Sequence, residues 1–195
     1  METKKVIFLS IISLLYIVAL GYVSKIYLSD RYYNKALALE KNGGWFEAIS
    51  FYEKAISTYP KNVTYFERLA RLYFLRSWFP LNRKKFLMKA EDTIEKGLSL
   101  CTQSGELWLL QGMVSEGLSK KNEAIASYKQ AIALDPHNAF YHTAFSTFYF
   151  KEGMEREGIQ EAKRAISCYN KSSVYNYLKK MGIGEKTLKK IKESF

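Results

Sequence analysis

The decapeptide EAISFYEKAI, Glu47–Ile56, closed by Pro60, returns almost unchanged as EAIASYKQAI, Glu123–Ile132, closed by Pro136. Residues three and four apart share a helical face, so Ala48, Tyr52 and Ala55 form one stripe in which small residues alternate with a ring. Such a helix can approach a partner closely at its alanines and fill the gap beside them with the aromatic. The spacing extends the pattern, because Ala131 and Ile132 return as Ala165 and Ile166, a step of 34 in the numbering. Ala48 to Ala124 is 76, or 34 plus 42, so two further units lie between and after the obvious pair. Four units result, at 29–62, 63–104, 105–138 and 139–172, the second with eight extra residues. In the last unit Gly158 and Ala162 stand where Ala and Tyr stand in the first and third. Every strong segment has a 3.6-residue period and none alternates as a strand does. A single helix hairpin cannot hide its own apolar face, but a stack of them can, and the chain reads as an all-α solenoid.

Phe66 with Leu69, Ala70 and Tyr73, and Trp108 with Gly112, supply first helices to match these second helices. On these residues the chain resembles the tetratricopeptide repeat (TPR) family over roughly three quarters of its length. Departures are visible: Lys35 and Gln111 stand where that family usually has Leu, Thr102 and Asn170 replace the closing Pro, and His142 replaces the first aromatic. The resemblance implies a right-handed solenoid of four TPR hairpins with a C-terminal capping helix. It also implies a concave groove, lined by the first helices, that holds an extended peptide or a partner helix. Carried over by register, the lining is Tyr33, Leu37, Arg68, Arg71, Phe74, Leu109, Met113, Phe140, Thr143, Thr147 and Phe150. Tyr33 and Leu37 occupy places where chaperone-binding members carry Lys and Asn, so the clamp for a C-terminal carboxylate is not reproduced. An apolar, aromatic groove with two arginines favours a hydrophobic segment with an acidic neighbour.

Ahead of the repeats, Val6–Val23 is eighteen residues without a charge, preceded by Lys4 and Lys5. At about 1.5 Å per residue it spans about 27 Å, near the hydrocarbon thickness of a bilayer, and Ile26-Tyr27-Leu28 can lengthen it. The competing reading is a cleaved secretory signal with Ala19-Leu20-Gly21 before the cut. The apolar run exceeds the usual length of such signals and favours an uncleaved anchor. With no polar face, the segment does not read as a helix lying on the membrane surface. The expected organisation is a basic head at 1–5, a transmembrane helix at 6–28, the four units, and a basic cap and tail at 173–195. Lys4 and Lys5 oppose Lys25, Arg31 and Lys35 across the span; a short basic head places the repeats outside the cytoplasm, on the periplasmic side of a bacterial inner membrane.

The formal charge of +11 is concentrated, with seven lysines against two glutamates in residues 171–195 and three more cations at Arg83-Lys84-Lys85. Solvated helices and loops are the plain reading of such runs. Within the tail, Met181-Gly182-Ile183-Gly184 between lysine-bearing segments resembles a helix-hairpin-helix motif, whose turn offers backbone N–H groups to a nucleic-acid phosphate. The structural reading is a Gly182 stop with positive φ, followed by a short basic helix. In the insertion Pro80 ends the first helix. Trp78 and Phe79, beside Arg83, Lys84 and Lys85, form a candidate secondary surface for a partner protein or a membrane interface. Cys101 and Cys168 are placed two units apart by the repeat, too far to bond, and are expected free.

The inventory for catalysis is small. His137 and His142 are five apart, no Cys or carboxylate is spaced to complete a metal site, and phosphate-loop, dinucleotide and nucleophile-elbow motifs are absent. The chain reads as a non-enzyme without metal, cofactor or small-molecule substrate. What remains is a membrane-anchored adaptor with a protein partner in the groove, in a cell-envelope assembly. The likeness extends to TPR regions associated with bacterial surface-polysaccharide polymerases and ligases. The alternative is nucleic-acid or anionic-surface binding through the lysine-rich tail.

Overall fold

A computed structural model describes residues 2–193, with side chains described for Lys5 and from Ile7 to Glu193. The basic head expected at 1–5 lies outside the described side chains apart from Lys5, as do the last two residues of the tail. Ten helices and no strand make up the described residues: α1 (Glu2–Lys41), α2 (Trp45–Thr58), α3 (Val63–Arg76), α4 (Arg83–Leu100), α5 (Gly105–Gly117), α6 (Lys121–Leu134), α7 (Ala139–Lys151), α8 (Glu155–Cys168), α9 (Lys171–Lys180) and α10 (Glu185–Glu193). The first eight pack pairwise as antiparallel hairpins, each stacked on the next, and α10 packs back on both α8 and α9.

The sequence punctuates this stack with two devices. First helices begin at a side-chain cap: Asn62 accepts from the Thr64 N–H, Ser104 from Leu107, Asn138 from Phe140 and Asn170 from Ser173. Second helices follow a left-handed turn. Gly44, Lys120, Met154 and Ile183 donate their N–H back to the carbonyls of Leu39, Ser115, Tyr149 and Leu178, closing the same six-to-one loop each time. The left-handed residue is Gly43, Ser119, Gly153 or Gly182. Gly182 thus serves the turn of a fifth, shorter hairpin, α9/α10. The insertion displaces this device in the second hairpin, where Asn82 is left-handed instead.

Three apolar clusters run through the stack. Ala48, Tyr52, Leu69, Leu72, Leu87 and Ile94 anchor the first, Tyr128, Phe145 and Phe148 the second, and Ala165, Leu178, Leu188 and Ile191 the third. His142, on α7, is buried within this stack. Cys101 and Cys168 are free thiols.

The apolar segment does not end before the repeats begin. α1 continues unbroken from Glu2 to Lys41, so the expected span and the first helix of the first repeat are one rod. Its part from Ile7 to Val23 projects with its side chains exposed, and from Ile7 onward the helix is long and apolar enough to cross a membrane. Contact with the repeats starts at Tyr22, whose hydroxyl lies 2.9 Å from that of Tyr59. Ser29 and Asp30 then meet the hydroxyl of Tyr65, which donates to Asp30 at 2.5 Å.

Candidate binding groove

A recess walled by α3 to α7 and α9, with nothing from α1, lies nearer the C-terminal half than the register of the sequence suggests. A cavity of about 430 Å³ is walled by Phe74, Ser77 and Trp78 of α3 and the turn after it, and by Arg83 and Leu87 of α4. Met113 and Glu116 of α5, Tyr128 of α6, Thr147 and Lys151 of α7, and Tyr177 and Met181 of α9 and its cap complete it. The apolar wall is aromatic and sulfur-rich, a surface that can repack around an inserted side chain. Its one carboxylate, Glu116, accepts from Lys151 at 2.6 Å and from the Tyr128 hydroxyl at 3.0 Å. Burial first, and then the negative charge of Glu116, push both the Tyr128 and the Tyr177 phenols up, so each stays a neutral hydroxyl.

Of the expected lining, Phe74, Met113 and Thr147 reach this cavity. Leu109, Thr143 and Thr147 are buried, and the two threonine hydroxyls donate back to Ala139 and Thr143 carbonyls of their own helix. Phe140 is 47% exposed and sits edge-on to Tyr177, ring centres 6.3 Å apart. Phe150 turns inward: its ring lies where a side chain on Gly158 would be, inside the α7/α8 hairpin. Tyr33 stacks between Tyr52 and Tyr65, at 5.7 and 5.1 Å, with Leu37 against the first cluster. Arg68 lies close enough to the Tyr33 phenol to feel its charge. Arg71 pairs with Glu106 of the next hairpin at 2.5 Å, so its charge ties α3 to α5. The groove therefore offers less free positive charge than a count of its arginines suggests.

Two features escape the register argument, a pair of residues at the end of the stack and a single cation. Tyr177 and Met181 stand one repeat step beyond Thr143 and Thr147, so carrying the register once more would have found them. The other is Arg76. Its guanidinium lies 3.7 Å from the centre of the Phe46 ring and within 5.3 Å of those of Phe79 and Phe86, with its buried Nε lacking a hydrogen-bond partner. This stacked cation supports the insertion, where Trp78 is 70% and Phe79 49% exposed beside the exposed Arg83, Lys84 and Lys85. No local pattern marks it, because Phe46 comes from α2 and Phe86 from α4.

Among the described residues no cluster of three or more His, Cys, Asp or Glu side chains could hold a metal ion. His142 bonds Glu161 at 2.7 Å and the Pro136 carbonyl at 3.0 Å, deep in the stack.

Fold and recess together define a helical-repeat protein. Residues 29–62 and 105–138 match the tetratricopeptide repeat model. No curated protein matches the chain. Among solved structures, a thermophilic TPR protein of Thermus thermophilus aligns over 87% of this chain and 95% of its own, with 19% identity and a TM-score of 0.70. MamA from Desulfovibrio magneticus RS-1 covers 72% of this chain and 75% of its own, with 14% identity and a TM-score of 0.62. YrrB, a TPR protein with an unusual peptide-binding site, covers 81% and 80%, with 22% identity and a TM-score of 0.55. At these identities the likeness is one of fold.

Proposed function

We propose that this chain is a membrane-anchored adaptor that receives an apolar, aromatic-bearing peptide or partner helix in the recess between Phe74, Trp78, Met113 and Tyr177. One observation carries the reading: a single connected stack leaves two apolar surfaces uncovered, the projecting run Ile7–Val23 and this recess. The first suits hydrocarbon and the second suits a side chain presented by a protein. Peptide recognition by a neighbour of the same fold supports the second half. The assembly served is one of the cell envelope, with the solenoid outside the cytoplasm and no cofactor or small-molecule substrate involved. The lysine-rich tail gives the nucleic-acid alternative little support, because Lys179 pairs with Glu185 at 2.7 Å and Lys190 with Glu155 at 2.9 Å.

The test uses the full chain in nanodiscs, panned against a displayed library of random peptides. Recovered peptides should carry an aromatic or large aliphatic anchor, and Trp78→Ala or Met113→Glu should weaken them by about tenfold or more, on the order of 1.4 kcal/mol. Binders indifferent to both variants, or a polyanion whose binding is lost with Lys186→Glu, would refute the groove. A reporter fused after Phe195 and active only outside the cytoplasm tests the sidedness separately.

A further inference from the structure

We infer that the loop joining α2 to α3, Tyr59–Asn62, lies within the headgroup layer of the bilayer that α1 crosses, so that the solenoid stands upright and flush on the membrane. This rests on the anchor proposed above and adds what the anchor alone does not give: a second, lipid-facing surface and a fixed orientation.

Length sets the depth. From Ile7 to Val23 the helix rises about 24 Å, short of the roughly 30 Å of a hydrocarbon core. The apolar run is therefore used in full, and the headgroup layer begins in the stretch Tyr22–Leu28, where Lys25 supplies the first exposed charge. Tyr22 is also where contact with the repeats begins, because its hydroxyl meets that of Tyr59 and the two rings pack edge-on at 5.8 Å. Height along α1 thus places Tyr59 level with the membrane boundary. No linker separates the two, and no proline interrupts α1 to act as a kink.

The chemistry of the loop fits that depth. Tyr22, Tyr27 and Tyr59 make the amphipathic belt that interfaces favour, with Lys25 and the exposed Lys61 able to reach phosphate. The polar groups that descend with them are already satisfied: the Ser57 and Thr58 hydroxyls donate to the Lys54 carbonyl. Asp30, the first carboxylate after the apolar run on α1, accepts from Tyr65. The next loop on the same edge stands higher: its Ser104 donates to Glu67, more than a turn above the start of α3. At the other end of α3, about 20 Å higher at 1.5 Å per residue, Trp78 and Phe79 are carried away from this bilayer and face a partner arriving from solvent.

The experiment places single nitroxide labels on the full chain, with Cys101→Ala and Cys168→Ala as background, in vesicles of phosphatidylcholine and phosphatidylglycerol. Ile12→Cys, Lys61→Cys and Leu81→Cys report three heights, with Pro60→Cys as a second loop probe and circular dichroism checking the fold. The ratio of oxygen to nickel-chelate accessibility should be highest at 12, intermediate at 60 and 61, and at its bulk-water value at 81. A label at 12 in hydrocarbon with 60 and 61 both reading bulk water would overturn the upright seating while leaving the anchor intact. A label at 12 reading bulk water would overturn the anchor itself and the seating with it.

Discussion

The third and fourth hairpins, α5/α6 and α7/α8, are built on the same plan and packed in opposite senses. In the third, the plug is Tyr128 on the second helix, and Gly112 on the first makes room for it: a Cβ there would lie 3.0 Å from the ring. In the fourth, the plug is Phe150 on the first helix and the room is made by Gly158 on the second, with 2.7 Å between a would-be Cβ and the ring. Positions one repeat apart show the exchange directly, with Glu116 becoming Phe150, Ala124 becoming Gly158 and Tyr128 becoming Ala162. What is preserved is the volume between the helices, not the residue that fills it. Large beside small is the requirement of close packing, and either helix can supply the large member.

Removing a plug tests this most severely. Tyr128→Ala should cost about 3–5 kcal/mol, since it empties a buried aromatic site, also strips contacts from Phe145 and Phe148, and leaves Glu116 with Lys151 alone. Adding Glu116→Phe and Ala124→Gly to it rewrites the third hairpin in the sense of the fourth. The triple variant should recover part of the loss, but not the part owed to the next hairpin. Stacked repeats open locally, so amide exchange read hairpin by hairpin is the measurement.

Filling the room is the next largest effect. Alanine is worth up to about 1 kcal/mol over glycine in an exposed helix interior, whereas overpacking a core costs about 1–3 kcal/mol. At 2.7 Å the second term should win, so Gly158→Ala is destabilising by about 1–2 kcal/mol. Gly112→Ala, with slightly more space, should cost less. Equal effects at the two sites, or a gain at Gly158, would show that the rings yield and that the glycines are not required by packing.

The exchange explains how much of the fold the sequence alone discloses. Small and large residues at fixed steps are enough to count the first four hairpins and to see Gly158 and Ala162 standing in for Ala and Tyr. The fifth hairpin carries no such phrase: one repeat step beyond Ser146 and Gly158 stand Lys180 and Lys192, and only the cap Asn170, the turn Gly182 and four buried apolar residues preserve the design. The groove was legible in outline and not in detail. α7 is enclosed on nearly every side, so Thr143 and Thr147 are buried where an ordinary first helix would present them. The engagement of Arg71 depends on Glu106 of the following unit, and a repeat register assigns positions without saying which charges are already paired.

A second exchange between the same hairpins concerns protons. Trp108 donates its indole N–H to the Thr102 carbonyl at 2.9 Å, and His142, at the same position of the next unit, keeps that bond through Nε2 to the Pro136 carbonyl at 3.0 Å. Its remaining nitrogen faces Glu161, which also holds Arg164 at 2.5 Å. Both ring nitrogens thus point at acceptors, an arrangement made for the imidazolium. The hydrogen bond with Glu161, aided by the Pro136 carbonyl, raises the His142 pKa above its ordinary 6.5 against the opposing effect of burial. A raised folded value means the stabilisation is complete below the unfolded pKa and is lost as pH rises through the folded one. The fourth hairpin should loosen from mildly acidic toward alkaline pH, His142→Gln should flatten that dependence, and the third hairpin should not share it. Exchange rates of both hairpins at several pH values, corrected for intrinsic rates, decide the matter.

The smallest difference lies in the turns. Ser119 holds φ at 61° where Gly153, its counterpart in the next unit, holds 74° with no side chain. Both close the same loop, Ser119 onto the Glu116 carbonyl and Gly153 onto Phe150. A left-handed conformation costs a residue with a Cβ about 1–2 kcal/mol, while glycine gives back part of that advantage through its freer unfolded chain. Ser119→Gly should therefore stabilise the third hairpin by a net of about 0.5–1 kcal/mol, and Gly153→Ser should destabilise the fourth by a similar amount. Opposite signs at the two turns would show that one backbone geometry governs both hairpins. Loss of stability in both variants would mean that Ser119 is held by something other than its turn.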